Sequence, residues 1–178
     1  MAEQERAYRV FIDAATGLYD RRTMWSRLAE EVSRARRYRY PLSLMLVAFD
    51  VQAGRNALEN VRHLAEILKQ YTRTSDFLAR YSEDTLALLL PCTDERGALQ
   101  LAERIRRLAS VSAPGQERPA LKVRIGLTSA PAEYEGDKVA LVEQVEWALR
   151  QARAQGSRYD TVVVPVPRAS SGRQGASP

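Results

Sequence analysis

Two short polar segments in the middle of the chain carry residue types that could do chemistry. The first is Arg73-Thr-Ser-Asp76, and the second begins after five further residues as Ser82-Glu-Asp-Thr-Leu86. An arginine side chain can donate two parallel hydrogen bonds, and a carboxylate can accept hydrogen bonds. The first segment therefore carries both donors and acceptors for a polar or anionic ligand. The structural alternative is that Arg73 ends a helix and pairs with Asp76.

The bulk composition fits one globular domain of ordinary size. The 178 residues are 45% hydrophobic, and the net charge of +5 is spread along the chain. Cys92 is the only cysteine, which excludes an intrachain disulfide and allows a reducing compartment. His63 is the only histidine, so a zinc site is not expected. No apolar run has transmembrane length and no signal peptide is visible, which predicts a cytoplasmic protein.

The hydrophobic pattern alternates between helical and strand periodicity. Apolar residues at helical spacing predict helices over 24–35, 58–71, 98–108 and 141–152, and both tryptophans fall at apolar helix positions. Apolar or alternating runs predict strands over 42–49, 77–81, 85–90, 121–127 and 159–164. Loops are expected over 110–119 and 130–137, a lead-in helix over 1–12 and a disordered tail over 166–178. The pattern predicts an α/β (α+β) domain with a central sheet flanked by helices.

Several fragments, in order along the chain, resemble the motifs of GGDEF (diguanylate cyclase) domains. They are Asp13-Ala-Ala-Thr-Gly-Leu-Tyr-Asp-Arg-Arg22, Ser33-Arg-Ala-Arg-Arg37, Arg80-Tyr81, Ala102-Glu-Arg-Ile-Arg106, Val123-Arg-Ile-Gly126, and Ala148-Leu-Arg-Gln-Ala-Arg153 followed by Gly156. The resemblance covers residues 13–165. It implies a five-stranded mixed sheet of the nucleotidyl-cyclase type.

The same resemblance implies that the catalytic signature is degenerate. The segment Ser82-Glu-Asp-Thr-Leu86 stands where the family has Gly-Gly-Asp/Glu-Glu-Phe. The family binds two divalent metal ions with carboxylates, but the matching positions here are Ala48 and Thr85. Glu83 replaces a glycine that lets the backbone approach a triphosphate. Asp84 matches the third letter of the signature and is otherwise explained as a turn residue.

The segment that follows the first predicted strand also departs from the family. Asp50 matches the second acid of the family's Asp-x-Asp, although a helix cap or surface acid would look the same. The family's guanine-contacting and ribose-contacting segment is about seven residues shorter here, and Asn56 is better explained as a helix N-cap. Arg153 stands at the family's triphosphate-binding lysine, where the helix dipole also favours a cation, and Ser157 replaces an arginine.

In contrast to the catalytic signature, the family's inhibitory site, which binds cyclic di-GMP, is complete in this sequence. The Arg-x-x-Asp motif maps to Arg73 and Asp76, and a second arginine on the following helix maps to Arg104. The resemblance implies that these three residues bind the ligand. Their structural alternative is an ion pair at a helix end together with a solvated Arg104.

These observations lead to one functional hypothesis and two alternatives. The first is a catalytically inactive GGDEF-like domain that binds cyclic di-GMP and relays the signal to a protein partner or by self-association. The second is an interaction module without a nucleotide, and the third is an active cyclase with atypical ligands. No metal, cofactor or nucleic-acid partner is expected under the first hypothesis.

Overall fold

A computed structural model of the protein describes residues 11–50, 56–111, 120–154 and 160–166. These residues form four helices and five strands. In chain order they are α1 (Arg21–Tyr38), β1 (Leu42–Phe49), α2 (Ala57–Tyr71), β2 (Phe77–Arg80), β3 (Thr85–Pro91), α3 (Glu95–Ala109), β4 (Val123–Ala130), α4 (Lys138–Ala154) and β5 (Thr161–Pro165). No described helix has the length and apolar character needed to cross a membrane.

The five strands form one mixed sheet in the order β2-β3-β1-β4-β5. β1 lies at the centre and pairs antiparallel with β3 and β4, whereas β5 pairs parallel with β4. The predicted fold class is therefore confirmed. β4 begins and ends later than the predicted 121–127, because β1 pairs with it along its whole length, from Phe49 opposite Val123 to Leu42 opposite Ala130.

Alternate residues of the central strand feed two separate hydrophobic cores. Met45, Val47 and Phe49 enter one cluster with apolar residues of α2 and α3. Leu44 and Leu46 enter the other with residues of α1 and α4. Since both faces of the sheet are covered, every residue of β1 is buried, which explains why the strand reads as a continuous apolar run.

Polar residues before the helices fix where the helices begin. Asp20, Asn56 and Asp94 each lie in extended backbone and accept a hydrogen bond from the first turn of α1, α2 and α3 respectively. The prediction that Asn56 is an N-cap is confirmed by its side chain, which accepts from the N–H of Leu58 at 3.0 Å.

One of the two tryptophans does not lie where the helical pattern places it. Trp25 packs partly buried against the core beneath α1, but Trp147 on α4 is 46% exposed. The buried face of α4 is formed by other residues: Leu141, Val142, Val145, Ala148, Leu149 and Ala152. The expectation that Trp147 belongs to the core was therefore wrong, because Trp147 lies outside the buried face of α4.

Several sequence predictions fall on residues outside the described ones. They are the lead-in helix up to residue 10, the loop over 112–119, the shortened segment 51–55, Gly156, Ser157 and Tyr159, and the tail beyond residue 166. At the described edge of the lead-in, Ile12 forms an antiparallel bridge with Tyr19.

Candidate functional site

The segment that begins Ser82-Glu-Asp forms a tight turn between β2 and β3. The N–H groups of Tyr81 and Ser82 both donate to the carbonyl of Thr85, at 2.9 and 3.1 Å. Arg80 stabilises this turn, because its guanidinium donates to the carbonyls of Ser82 and Glu83. Ser82 and Glu83 are exposed. These bonds hold the turn against the end of β2.

Ala48 and Thr85 lie opposite each other at the end of the sheet where the turn is placed. They are register partners of β1 and β3, and both are buried. A methyl group cannot coordinate a cation, and a neutral hydroxyl is a weak substitute for a carboxylate. The described residues contain no group of three or more His, Cys, Asp or Glu side chains that could hold a metal ion. The donor set at this end of the sheet does not fit a pair of divalent cations.

Asp84 is held by neighbours on both oxygens of its carboxylate. Arg153 donates to Oδ2 at 2.7 Å, while Ser82 and Thr85 donate their hydroxyls to Oδ1 at 3.0 and 2.8 Å. Partial burial acts to raise the pKa of Asp84, but these hydroxyl bonds and the Arg153 charge outweigh it, so the pKa is lowered. The carboxylate therefore remains charged, with Arg153 as its counterion.

Arg124, which the sequence analysis did not identify, forms an ion pair with Asp50, the acid that follows β1. Arg124 of β4 is 4% exposed and lies with Nη2 3.5 Å from Asp50 Oδ2. Its Nη1 also donates to Asp160, just before β5. The signal in the sequence is a lone arginine within the apolar pattern of β4. Asp50 is thus a partly exposed acid that pairs with a buried cation, and the helix cap considered for it is instead Asn56.

Tyr81, which follows Arg80 in the signature region, links the turn to α1 and α4. Its hydroxyl donates to Glu146 Oε1, and Arg21 donates to the Tyr81 hydroxyl oxygen at 3.2 Å. Burial and the nearby Glu146 carboxylate raise the pKa of Tyr81 to about 12. The folded protein therefore keeps Tyr81 neutral at a pH where an exposed tyrosine ionises.

This raised pKa predicts a loss of stability in alkaline solution. The unfolded chain releases the Tyr81 proton near pH 10, so the free energy of unfolding should stay level below that pH and fall as the pH rises towards about 12. Denaturant unfolding at a series of pH values measures this slope. Tyr81→Phe should make the alkaline slope shallower, and an unchanged slope would contradict the assignment.

A single cavity at the C-terminal end of β3, opposite the end where the turn lies, is lined by Arg73, Asp76 and Arg104. The cavity has a volume of about 130 Å³ and lies between the end of α2, the start of β2, the end of β3 and one face of α3. Both arginines are exposed, and Asp76 is half-buried. Residues separated by up to thirty-one positions are thus brought together, as the resemblance predicts.

One oxygen of Asp76 has a structural partner and the other does not. Oδ2 accepts from the N–H of Arg73 at 2.8 Å, and the N–H of Asp76 donates to the carbonyl of Arg73 at 3.0 Å. Oδ1 is buried and has no hydrogen-bond partner among the described residues. Burial raises the pKa of Asp76, although the Arg73 N–H, the Arg73 charge and the Ser75 hydroxyl act in the opposite direction. A buried acceptor without a donor costs free energy, which a ligand N–H would recover.

Comparisons with known proteins agree with this fold. The family described as "Diguanylate cyclase, GGDEF domain" matches residues 10–159. Diguanylate cyclase DgcP of Pseudomonas aeruginosa is 28% identical over 164 residues, which cover 86% of this chain and 24% of DgcP. Response regulator PleD of Caulobacter vibrioides is 30% identical over 155 residues, which cover 81% of this chain and 34% of PleD. The chain therefore spans between about a quarter and a third of the length of these curated relatives.

Solved structures have the same architecture. The GGDEF domain of DgcB from Caulobacter crescentus, crystallised in complex with c-di-GMP, superposes with a TM-score of 0.74 at 17% identity, covering 88% of this chain and 93% of that one. Diguanylate cyclase SiaD of Pseudomonas aeruginosa, in complex with its activator SiaC, also gives a TM-score of 0.74, at 23% identity, covering 86% of this chain and 61% of that one. Since the family match extends over residues 10–159 and the sheet has the same fold, the chain belongs to the GGDEF domain family of diguanylate cyclases.

Proposed function

We propose that this protein is a catalytically inactive GGDEF domain that binds cyclic di-GMP through Arg73, Asp76 and Arg104 and relays the signal to a protein partner. The observation that carries the proposal is that Asp76, whose buried Oδ1 has no hydrogen-bond partner among the described residues, lines a cavity together with two exposed arginines. The site therefore combines one carboxylate oxygen that lacks a hydrogen-bond donor with two exposed guanidinium groups.

The chemistry of a guanine base supplies what this cavity lacks. The N1 and N2 hydrogens of guanine can donate to Asp76, and the Arg73 guanidinium can donate to O6 and N7. Arg104, facing the same cavity from α3, adds a cation that can pair with a phosphate of the ligand. The solved GGDEF domain of DgcB, which was crystallised with c-di-GMP, supports this choice of ligand.

The proposal that catalysis is lost rests on the other end of β3. Ala48 and Thr85 provide no carboxylate for a metal ion. The two acids that remain, Asp50 and Asp84, each lie beside an arginine. Each acid would have to give up its ion pair before it could bind a cation.

We expect no synthesis of cyclic di-GMP from GTP. The purified protein is incubated with GTP and magnesium or manganese, and the product is followed by chromatography. A heat-killed sample gives the background, and a known active diguanylate cyclase shows that the assay works. Product above the background that Asp84→Ala abolishes would show that the domain is an active cyclase.

GTP should also fail to bind at the degenerate site. The Arg153 side chain, which stands where the family binds triphosphate, already pairs with Asp84 at 2.7 Å. A ligand present at one hundred times its dissociation constant would add about 2.7 kcal/mol to the stability, so a thermal-shift series with GTP and magnesium is a sensitive measurement. A saturable rise in melting temperature that Arg153→Ala removes would overturn this expectation.

The proposed relay of the signal works through a protein partner or through self-association. SiaD, which has the same fold, was crystallised with its activator protein SiaC. Since cyclic di-GMP is a bacterial second messenger, we place the domain in the cytoplasm. Titration calorimetry with cyclic di-GMP tests the binding proposal directly, and an absence of heat would favour an interaction module that binds no nucleotide.

A further inference from the structure

The outer edge of β5 is not paired with any described residue. β5 ends the sheet and pairs only with β4. Its five residues, Thr-Val-Val-Val-Pro, carry no charge. Natural proteins usually protect such an edge with charged side chains, prolines or a covering element, and Pro165 at its end is the only such device within β5.

The register with β4 determines which backbone groups face outwards. The carbonyl of Asp160 accepts from the N–H of Ile125 at 2.7 Å. In a parallel ladder every second residue bonds to the neighbouring strand, so the even-numbered residues of β5 face β4. Thr161 and Val163 therefore present their N–H and C=O groups to the open edge.

Beside this edge, α4 presents a stripe of exposed side chains that follows helical spacing. The α4 stripe consists of Val139, Glu143, Trp147, Arg150 and Ala154, all of which are exposed. Three of them line a groove with Val164 of β5: Glu143, Trp147 and Arg150. The stripe therefore adjoins the open strand edge.

The two charged residues of the stripe have no ion-pair partner among the described residues. Glu143 lies four residues before Trp147, and Arg150 lies three residues after it. A two-fold axis near Trp147 would place Glu143 opposite Arg150 of the partner subunit and Arg150 opposite Glu143 of the partner subunit. The stripe is thus complementary to a second copy of itself.

We propose that the β5 edge and the α4 stripe form the interface of a symmetric homodimer. Two β5 strands pair antiparallel about a two-fold axis near Val163, which joins the two sheets into one of ten strands. The outward N–H of Val163 donates to the carbonyl of Val163 of the partner subunit and the reverse bond also forms, while Thr161 lies opposite Pro165 of the partner subunit.

The position of α4 sets the distance that the side chains must bridge. α4 packs against β4 and contacts both β1 and β5, so its axis lies over β4, about 5 Å, or one strand spacing, from β5. With the two β5 strands paired, the α4 helices of the two copies would run antiparallel about 15 Å apart, or three strand spacings, a gap that the long side chains of the stripe span. The two Trp147 rings fill the centre of the interface. This dimer needs neither cyclic di-GMP nor the cavity of Arg73.

Sedimentation velocity and light scattering on the full chain without nucleotide test the dimer. Over a roughly hundredfold range of protein concentration, the mass should rise from 20.0 kDa towards twice that value. Trp147→Ala should weaken dimerisation by about tenfold or more, because truncation of a central aromatic anchor typically costs that much. A chain that stays monomeric throughout the range overturns the proposal.

Charge reversal tests the paired arrangement itself. Glu143→Arg and Arg150→Glu should each weaken the dimer, and the double variant should restore it, because opposite charges then face each other again. Arg96→Glu is the matched control, since Arg96 is exposed on α3 and belongs neither to the α4 stripe nor to β5. Single reversals without effect, or a double variant that fails to recover, would overturn the proposed pairing. Circular dichroism confirms that each variant is folded.

Discussion

Arg73→Ala should lower the affinity for cyclic di-GMP by roughly tenfold to more than a hundredfold, since a bidentate guanine contact is worth about 1–3 kcal/mol. The exposed Arg73 guanidinium faces the same cavity as Asp76 and Arg104. The side chain contributes little to the fold, so its removal should leave the melting temperature nearly unchanged. Titration calorimetry on the wild type and the variant measures the loss.

Three further variants make this result specific. Arg96→Ala removes a cation from α3 that does not line the cavity, and its affinity should match the wild type. Asp76→Asn should lose less affinity than Asp76→Ala, because one acceptor oxygen remains for the base and for the Arg73 N–H. Equal affinity for the wild type and Arg73→Ala would remove the basis for the proposed site.

Gly126→Ala should destabilise the protein strongly, because the added methyl group would meet the backbone of α4. A Cβ at Gly126 would lie 2.4 Å from the backbone nitrogen of Leu149 and 2.6 Å from the carbonyl oxygen of Val145. These are backbone atoms of α4, which cannot rotate away, so the whole helix must move off the sheet. Overpacking of a core costs about 1–3 kcal/mol and occasionally more, or about 2–4 °C of melting temperature per kcal/mol.

Gly97→Ala provides the matched control for this prediction. There the added Cβ meets only the ends of two side chains, Thr93 Cγ2 at 3.2 Å and Asp94 Oδ1 at 3.3 Å. Gly97 also lies in α3, where alanine is the better helix former. Thermal unfolding of both variants decides the matter, and a Gly126→Ala variant as stable as Gly97→Ala would refute the close approach of α4 to β4.

The sequence was sufficient for the central strand but not for the ends of its neighbours. β1 covers the predicted range 42–49 because burial on both faces leaves an uninterrupted apolar run. The last residues of β4 belong to the sheet through pairing with β1 and β5, including a hydrogen bond from Thr128 Oγ1 to the carbonyl of Val164 at 2.8 Å. Such pairing is a property of the assembled sheet, and no local pattern in the chain records it.

The residues of the candidate sites also fall into those that the sequence predicts and those that only the folded structure reveals. The convergence of Arg73, Asp76 and Arg104 was accessible through motif spacing, since the fold of the family brings these positions together. The Arg124 pairs with Asp50 and Asp160 were not, because they join residues that are distant in sequence and that no motif connects. Helical spacing placed Trp147 on a helix but could not show that its side of α4 lies away from the core.

The ion pair between Asp84 and Arg153 bears on how a metal site could be introduced at this end of the sheet. Ala48→Asp alone would add an anion opposite Thr85, while the neighbouring Asp84 remains paired with Arg153 at 2.7 Å. An acid at position 85 would meet Arg153 as well, since that guanidinium already lies 3.3 Å from Thr85 Oγ1. Each single substitution therefore meets a cation that is already paired, and a metal site would require coordinated changes at several positions.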